Sequence, residues 1–447
     1  EYTPGFDDID AVATGGQAHG WIGNWLRLGV TANANEQDGA DSSLNAADLT
    51  LRLAAESWLK VQHARSEGLV SLPQFSSDGG FEFSSYDPTS FTNADAEAER
   101  ADLSLRFADL LHFLPGRVTA YTQDVEAGYS APGLTALRDT RNYGGTFSLP
   151  LFDRVAINAK VDNREQDLGI TTRAEEYDVS VQLTEHWNLA AGYRRDERTD
   201  NAIIVPFTQE QGEREDAVLQ VGYDSKASWS TYAFVQDTLS VTGDRRENSR
   251  AGFGGSYRIS EKLKVDAEVS DGDLGAGGRI GTNYVHSEQT SLYLNYALEN
   301  ERTDNGLRAA RGRDGNLVAG IKTRLADSAS VFLEERYQHN DTMTGLTHAT
   351  GISFAPTDHW NLGFNTDIGT LEDLNTGAET ERLAGGIQVG YGSDTLQVSS
   401  GIEYRSDDVE QLDLSRTERA TWLFRNNFKY QFGPGMRLLG KLNHSTS

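Results

Sequence analysis

Strict alternation of apolar and polar residues, held over segments of about ten residues, is the feature that most limits what this chain can fold into. Leu396, Val398, Ser400, Ile402 and Tyr404 make one apolar face ending in a ring, while Gln397, Ser399, Gly401, Glu403 and Arg405 make a small, polar or charged one. Trp422, Phe424, Asn426, Phe428, Tyr430 and Phe432 alternate in the same way with Leu423, Arg425, Asn427, Lys429 and Gln431. A period of two is the signature of a half-buried strand, and helical periodicity is nearly absent. From Trp21 onward such segments number about 23, each near or above the ~9–11 residues that a tilted membrane strand needs, whereas strands of soluble domains run to ~5–6.

The connections take turns. Tight ones lie at residues 183–187, 223–227, 259–263, 286–290, 325–329, 355–359, 391–395 and 432–436. Longer acidic ones lie between them, at Asp196–Glu215, Asn300–Gly315 and Asp407–Glu418. A meander whose two rims face different compartments gives this order, with short turns at one rim and long loops at the other. Aromatic residues crowd the short turns: Trp187, Tyr223, Tyr257, Phe354, Trp360, Tyr391, Tyr430 and Phe432. They are read as one interfacial girdle, because an amphipathic ring sits well at headgroup depth.

Composition agrees with this reading. Only every second strand residue faces lipid, so a chain that is 37% hydrophobic can still carry an apolar belt. Forty Lys and Arg against 67 Asp and Glu give a net charge of −27, which excludes a basic nucleic-acid binder. Cysteine is absent, so disulfide and thiolate-metal frameworks are excluded. Glu1–Ala18 has neither the basic nor the apolar part of a secretory leader, and the chain is read as a mature form or excised fragment.

The fold class expected is therefore all-β: a large antiparallel up-and-down transmembrane β-barrel of roughly 22–26 strands or more. Its domains are an N-terminal extension, 1–20, and a single barrel, 21–447, with the first strand at Trp21–Ala34. The lipid-facing set is expected to lack charge through each strand's middle. Lys264, Asp266, Glu268, Glu403, Arg405, Arg425 and Lys429 fall on the other face and are the expected lumen-facing charges, acting as a filter or as wall ion pairs.

Five stretches, Arg154–Ile170, Thr208–Ser240, Asp273–Gly306, Leu346–Gly363 and Trp422–Ser445, resemble the C-terminal outer-membrane barrel of long multi-domain surface proteins of Gram-negative bacteria, loosely labelled porin-like or TonB-dependent-receptor-like. The resemblance implies outer-membrane localisation and no catalytic residue. The family's chains continue past the segment matching Met436–Ser447, so the barrel is read as truncated at its C-terminus. The twenty residues from Glu1 to Gly20 are too few for a plug domain, so a plug is expected only upstream of Glu1 or from another chain.

No catalytic constellation appears. The nine histidines show no H-E-x-x-H or paired metal spacing. His186 and His359 each precede a Trp at a short turn and read as rim residues. The Gly275–Gly278 run has no helix after it and is a strand bend rather than a phosphate cradle. No cofactor is expected; two acidic clusters, Asp271-Gly272-Asp273 and Asp7-Asp8-Ile9-Asp10, are candidates for a loop Ca²⁺. Expected partners are outer-membrane lipid and lipopolysaccharide, with a plug or surface protein besides. The function expected is porin-like or receptor-like solute passage, and the competing reading is a membrane anchor that displays surface modules or binds an extracellular partner.

Overall fold

The computed structural model describes residues 12–36, 42–68, 74–75, 84–85, 94–131, 134–136, 138–152, 154–201, 211–299, 302–304, 307–310, 314–340, 342–412, 415–433 and 436–446. One sheet holds 24 strands. The first eight are β1 Val12–Ile22, β2 Leu26–Glu36, β3 Ser42–Arg52, β4 Trp58–Gly68, β5 Ala94–Arg106, β6 Arg117–Val125, β7 Thr140–Leu151 and β8 Val155–Gln166. Next come β9 Ile170–Gln182, β10 Trp187–Asp200, β11 Gly212–Asp224, β12 Trp229–Val241, β13 Arg250–Ser260, β14 Leu263–Gly272, β15 Gly277–Val285 and β16 Thr290–Glu299. The last eight are β17 Asp314–Ala326, β18 Ala329–His339, β19 Met343–Thr357, β20 Trp360–Asp373, β21 Ala378–Gly392, β22 Leu396–Glu410, β23 Arg416–Gly433 and β24 Met436–Thr446.

Every strand pairs antiparallel with the next in chain order. The up-and-down meander of a large barrel is thus in place. An even strand count sets β1 antiparallel to β24, the orientation in which two barrel edges pair. Among the described residues no ladder joins them, and the neighbours Leu438 and Leu439, on opposite faces of β24, are 51% and 61% exposed.

The fold departs from the sequence expectation in three places. The first strand begins at Val12, inside the stretch read as an extension, and Trp21–Ala34 is two strands joined by a turn, with Gly23 at φ 61°. Thr14, Gly16, Ala18 and Gly20 form β1's share of the apolar face opposite Ala34, Ala32, Val30 and Leu28. Residues so small carry no visible hydrophobic period. The acidic connections are shorter than read: β10 runs to Asp200 and β11 resumes at Gly212, while β22 runs to Glu410 and β23 resumes at Arg416. Charge there alternates in sign across the ladder, so Arg195 meets Glu213 at 2.6 Å and Arg382 meets Asp407 at 2.8 Å, and the strands persist beyond the apolar belt. Third, the apolar face is not charge-free: Glu335 of β18 and His348 of β19 lie directly opposite each other on it and pair.

Candidate functional site

Register assigns every side chain to one of two faces, because residues directly opposite in an antiparallel pair share a face. Following the ladders from Trp422 gives a continuous apolar row set: Tyr404, Gly385, Thr366 and Thr350 lie level with it, and Phe424, Ile402, Ile387, Phe364 and Ile352 form the next row. Large apolar side chains on this face stand exposed, Ile387 at 59% and Phe253 at 63% among them. A soluble protein would hide such a surface. Here it is the lipid-facing side of a membrane barrel, where only closed or paired strands satisfy the backbone.

All eight aromatic residues singled out near the short turns fall on that apolar face. They sit in contact: Trp187 is edge-on to Tyr223 at 4.9 Å, and Trp360 to Tyr391 at 5.0 Å. Trp229, two residues after the 223–227 turn and not among the eight, extends the first group, stacked on Tyr223 at 5.0 Å. A second aromatic tier lies toward the loop rim. Tyr177 stacks on Tyr193 at 6.3 Å, and Tyr404 lies tilted against Trp422 at 4.8 Å. Two such tiers are what two membrane interfaces require.

A histidine fixes each of two short turns. In Thr184-Glu185-His186-Trp187 and Thr357-Asp358-His359-Trp360 the His amide donates to the Thr hydroxyl, at 3.2 and 3.3 Å. Each His Nδ1 meets a carbonyl of the next turn, Asp224 at 2.7 Å and Gly392 at 2.8 Å. The repeat clamps neighbouring turns at the girdle.

The opposite face is polar. The seven charges expected there sit on it in two patches. On β14, Lys264 lies opposite Asn283 and Asp266 opposite Gly281, while Glu268 meets Arg279 at 3.3 Å. On β22 and β23, Glu403 pairs with Arg425, Arg405 donates to Asp407 at 2.7 Å, and Lys429 reaches Gln397 at 3.5 Å. Three tyrosines tie strands across an intervening glycine. Tyr121 of β6 donates to Asp162 of β8 at 2.8 Å over Gly144; Tyr232 of β12 donates to Glu268 of β14 over Gly254; Tyr293 of β16 donates to Glu334 of β18 over Gly320. A Cβ at Gly254 would stand 2.6 Å from the Tyr232 hydroxyl, so only glycine leaves the phenol this path.

Two loop-rim segments fold onto this inner face. The first, between β6 and β7, brings Tyr129 onto Leu44, Ala96 and Val125, with Ala64 and Ala98 alongside. All five lie on the polar-face register, so an apolar cluster sits on the inner wall. The Ser130 amide donates to Ser66 Oγ at 2.9 Å, and a two-bond mini-hairpin links Gly128, Tyr129 and Ala136. The second, Thr242–Ser249, folds back past β11, where Arg245 pairs with Asp196 of β10, both buried, and Arg214 donates to the Arg246 carbonyl at 3.3 Å. Both segments cover part of the inner face at the loop rim. The available sequence signal was small and apolar residues, Ala127-Gly128-Tyr129 and Ala131, inside a loop that is otherwise polar.

Of the acidic clusters, Asp273 accepts the Ser249 amide at 2.8 Å, and Asp7–Asp10 lies outside the described residues. Among the described residues no group of three or more metal-ligating side chains converges. The Gly-rich run is the turn into β15, with Gly275 at φ 90°.

No family profile and no curated protein sequence matches the chain. Solved structures resemble it in fold. The ferric enterobactin receptor PfeA of Pseudomonas aeruginosa, in its complex with BCV-L6, has a TM-score of 0.51 at 8% identity, covering 94% of this chain and 76% of that one. The siderophore receptor PirA of the same organism has 0.42 at 9% identity, covering 98% and 77%. The FrpB iron transporter of Neisseria meningitidis has 0.38 at 10% identity, covering 98% and 79%. What the chain shares with PfeA is the fold, a large up-and-down β-barrel of the outer-membrane type.

Proposed function

We propose that the chain forms an outer-membrane barrel that passes a hydrated solute, porin-like or receptor-like, along its charged inner wall. One observation carries this: a sheet with a continuous exposed apolar face has, on its other face, a wall of charged and hydrogen-bonding groups onto which Tyr129 and Arg245 fold at the loop rim. Fixed mixed charge on a pore wall sets which ions enter. Lipopolysaccharide is the lipid partner in this reading, at the outward-facing rim where Arg141 meets Asp124 at 3.5 Å and Arg173 meets Glu197 at 3.9 Å.

The test is single-channel conductance of the detergent-folded protein in a planar bilayer. Stable steps are expected, with cation selectivity lowered by Glu403→Ala and raised by Arg425→Ala. Silence from a demonstrably folded barrel would favour the second reading, a surface anchor. The ion-paired strand extensions of β9–β11 and β21–β23 beyond the apolar belt support that reading, since they build a rigid rim on which to hold a partner.

A further inference from the structure

We propose that the connection between β5 and β6, Phe107–Gly116, is a lipid-inserting wedge: Leu110, Leu111 and Phe113, with Phe152 of the next short turn, enter the acyl region of the phospholipid leaflet at the short-turn rim. The inference goes beyond solute passage and rests only on the lipid-facing role of the apolar face.

Among the described residues the two most exposed large apolar side chains are Phe152, at 89%, and Phe113, at 81%. They stand in neighbouring connections of one rim, on either side of the paired strands β6 and β7. Leu110 and Leu111 are exposed beside Phe113. The stretch Leu110-Leu111-His112-Phe113-Leu114-Pro115 carries no carboxylate, lysine or arginine.

Polar groups hold this connection in shape. A 3-10 turn, Phe107–Asp109, opens it. The Leu110 and Leu111 amides donate to the Phe107 carbonyl at 3.0 and 2.7 Å, and the Leu114 amide donates to the Leu111 carbonyl at 2.8 Å. Asp109 accepts from Ser57 Oγ at 2.5 Å and from Arg106 Nε at 3.1 Å, and Ser57 is buried. The connection's one carboxylate is thus held against the strand ends, and the apolar tips are left outside.

An apolar surface of this kind needs a cover, and continuity identifies it. Phe107 meets Phe147 of β7 at 6.0 Å. Phe147 lies in register with Ala159, Tyr177 and Tyr193, on the apolar face. Leu149 shares that face, and a Cβ added at Gly116 would stand 3.0 Å from Leu149 Cδ1 and 3.1 Å from Phe107 Cδ2. The root of the wedge therefore continues the lipid-facing surface. Residue type agrees. The eight aromatic residues near the other short turns lie on β10–β23, and six of them are Trp or Tyr, whose polar tips suit headgroups. Leucine and phenylalanine have no polar tip and favour the acyl side of the boundary. Turn tips elsewhere carry charge, as at Asp224-Ser225-Lys226 and Ser260-Glu261-Lys262, and stay in water. The β5–β8 sector is thus seated deeper in the leaflet than the β11–β14 sector.

The chain has no cysteine, so single spin labels report cleanly. The full chain is placed in phosphatidylcholine nanodiscs with a nitroxide at Phe113→Cys, Phe152→Cys or Glu261→Cys. Collisions are then measured with oxygen, which concentrates in lipid, and with a water-soluble nickel chelate. Labels at 113 and 152 are expected to meet oxygen strongly and nickel weakly, at a depth of about 5–10 Å below the headgroup boundary. The label at 261 is expected to show the reverse. Strong nickel collision at 113 places the tip in water and overturns the proposal. Weak collision with both reagents means that protein covers the tip, which overturns it equally. Because a nitroxide is itself apolar, Leu110→Ser with Leu111→Ser is added to the 113-labelled chain and is expected to bring the label toward water. An unchanged depth in that folded variant overturns the part given to the two leucines.

Discussion

Tyr129→Ala separates the inward hairpin from the sheet it rests on. Tyr129 is 6% exposed and fills the space over Leu44, Ala96 and Val125. A tyrosine buries at least about 150 Å², which at ~25 cal/mol/Å² is about 4 kcal/mol. Measured ring-to-alanine truncations in cores fall at about 3–5 kcal/mol. The strand ladders do not pass through this ring, so the loss falls on docking of the hairpin rather than on the sheet. About 3 kcal/mol corresponds to roughly a hundredfold change in the docked population. Hydrogen exchange read by mass spectrometry should show peptides covering residues 127–136 exchanging about a hundredfold faster. Peptides from β10–β12 should be unchanged, and single-channel steps should become larger. Tyr129→Phe keeps the ring and should behave as wild type. Unchanged exchange in a folded Tyr129→Ala protein would refute the claim that this packing holds the segment on the wall.

Arg245→Ala removes the close partner of the buried Asp196 carboxylate, whose contact with Arg194 is longer at 3.7 Å, and should free the second inward segment at a cost of about 3 kcal/mol, seen as faster exchange across 242–249. Gly254→Ala places a methyl 2.6 Å from the Tyr232 hydroxyl and 2.8 Å from the Ala267 carbonyl, so heat stability should fall by about 1–3 kcal/mol, whereas Gly392→Ala, with open space around it, should be near neutral. Asp373 accepts amides from Thr376 at 3.0 Å and Asn375 at 2.8 Å, which hold its carboxyl below the usual carboxylate range. A depressed carboxylate contributes stability above its unfolded value of about 3.9 and loses it as pH falls through the lower folded value, so protection of the Asn375 and Thr376 amides should decline only in strong acid. Constant protection down to full protonation would contradict this.

The sequence by itself determined the fold class and the two faces, and it singled out the aromatic residues that share the apolar face at the short turns. Period two fixes which residues share a face wherever the alternating set is bulky, as in β22 and β23, and a one-residue slip would send charge into lipid. It under-read β1, because Thr14, Gly16, Ala18 and Gly20 carry no hydrophobic contrast, and it read ion-paired strand extensions as loops, because charge alone does not tell a solvated ladder from a connection. Only the tertiary structure decided what meets across strands. Tyr232, Gly254 and Glu268 span 36 residues yet form one row. Asn361, Gly390, Ser399, Asn427 and Lys441 become one row through four successive registers. The hairpin at Tyr129 turns inward because Ala64 of β4 and Ala96 and Ala98 of β5, distant in sequence, leave a recess on two facing strands. Such contacts depend on long-range register, which no local pattern encodes.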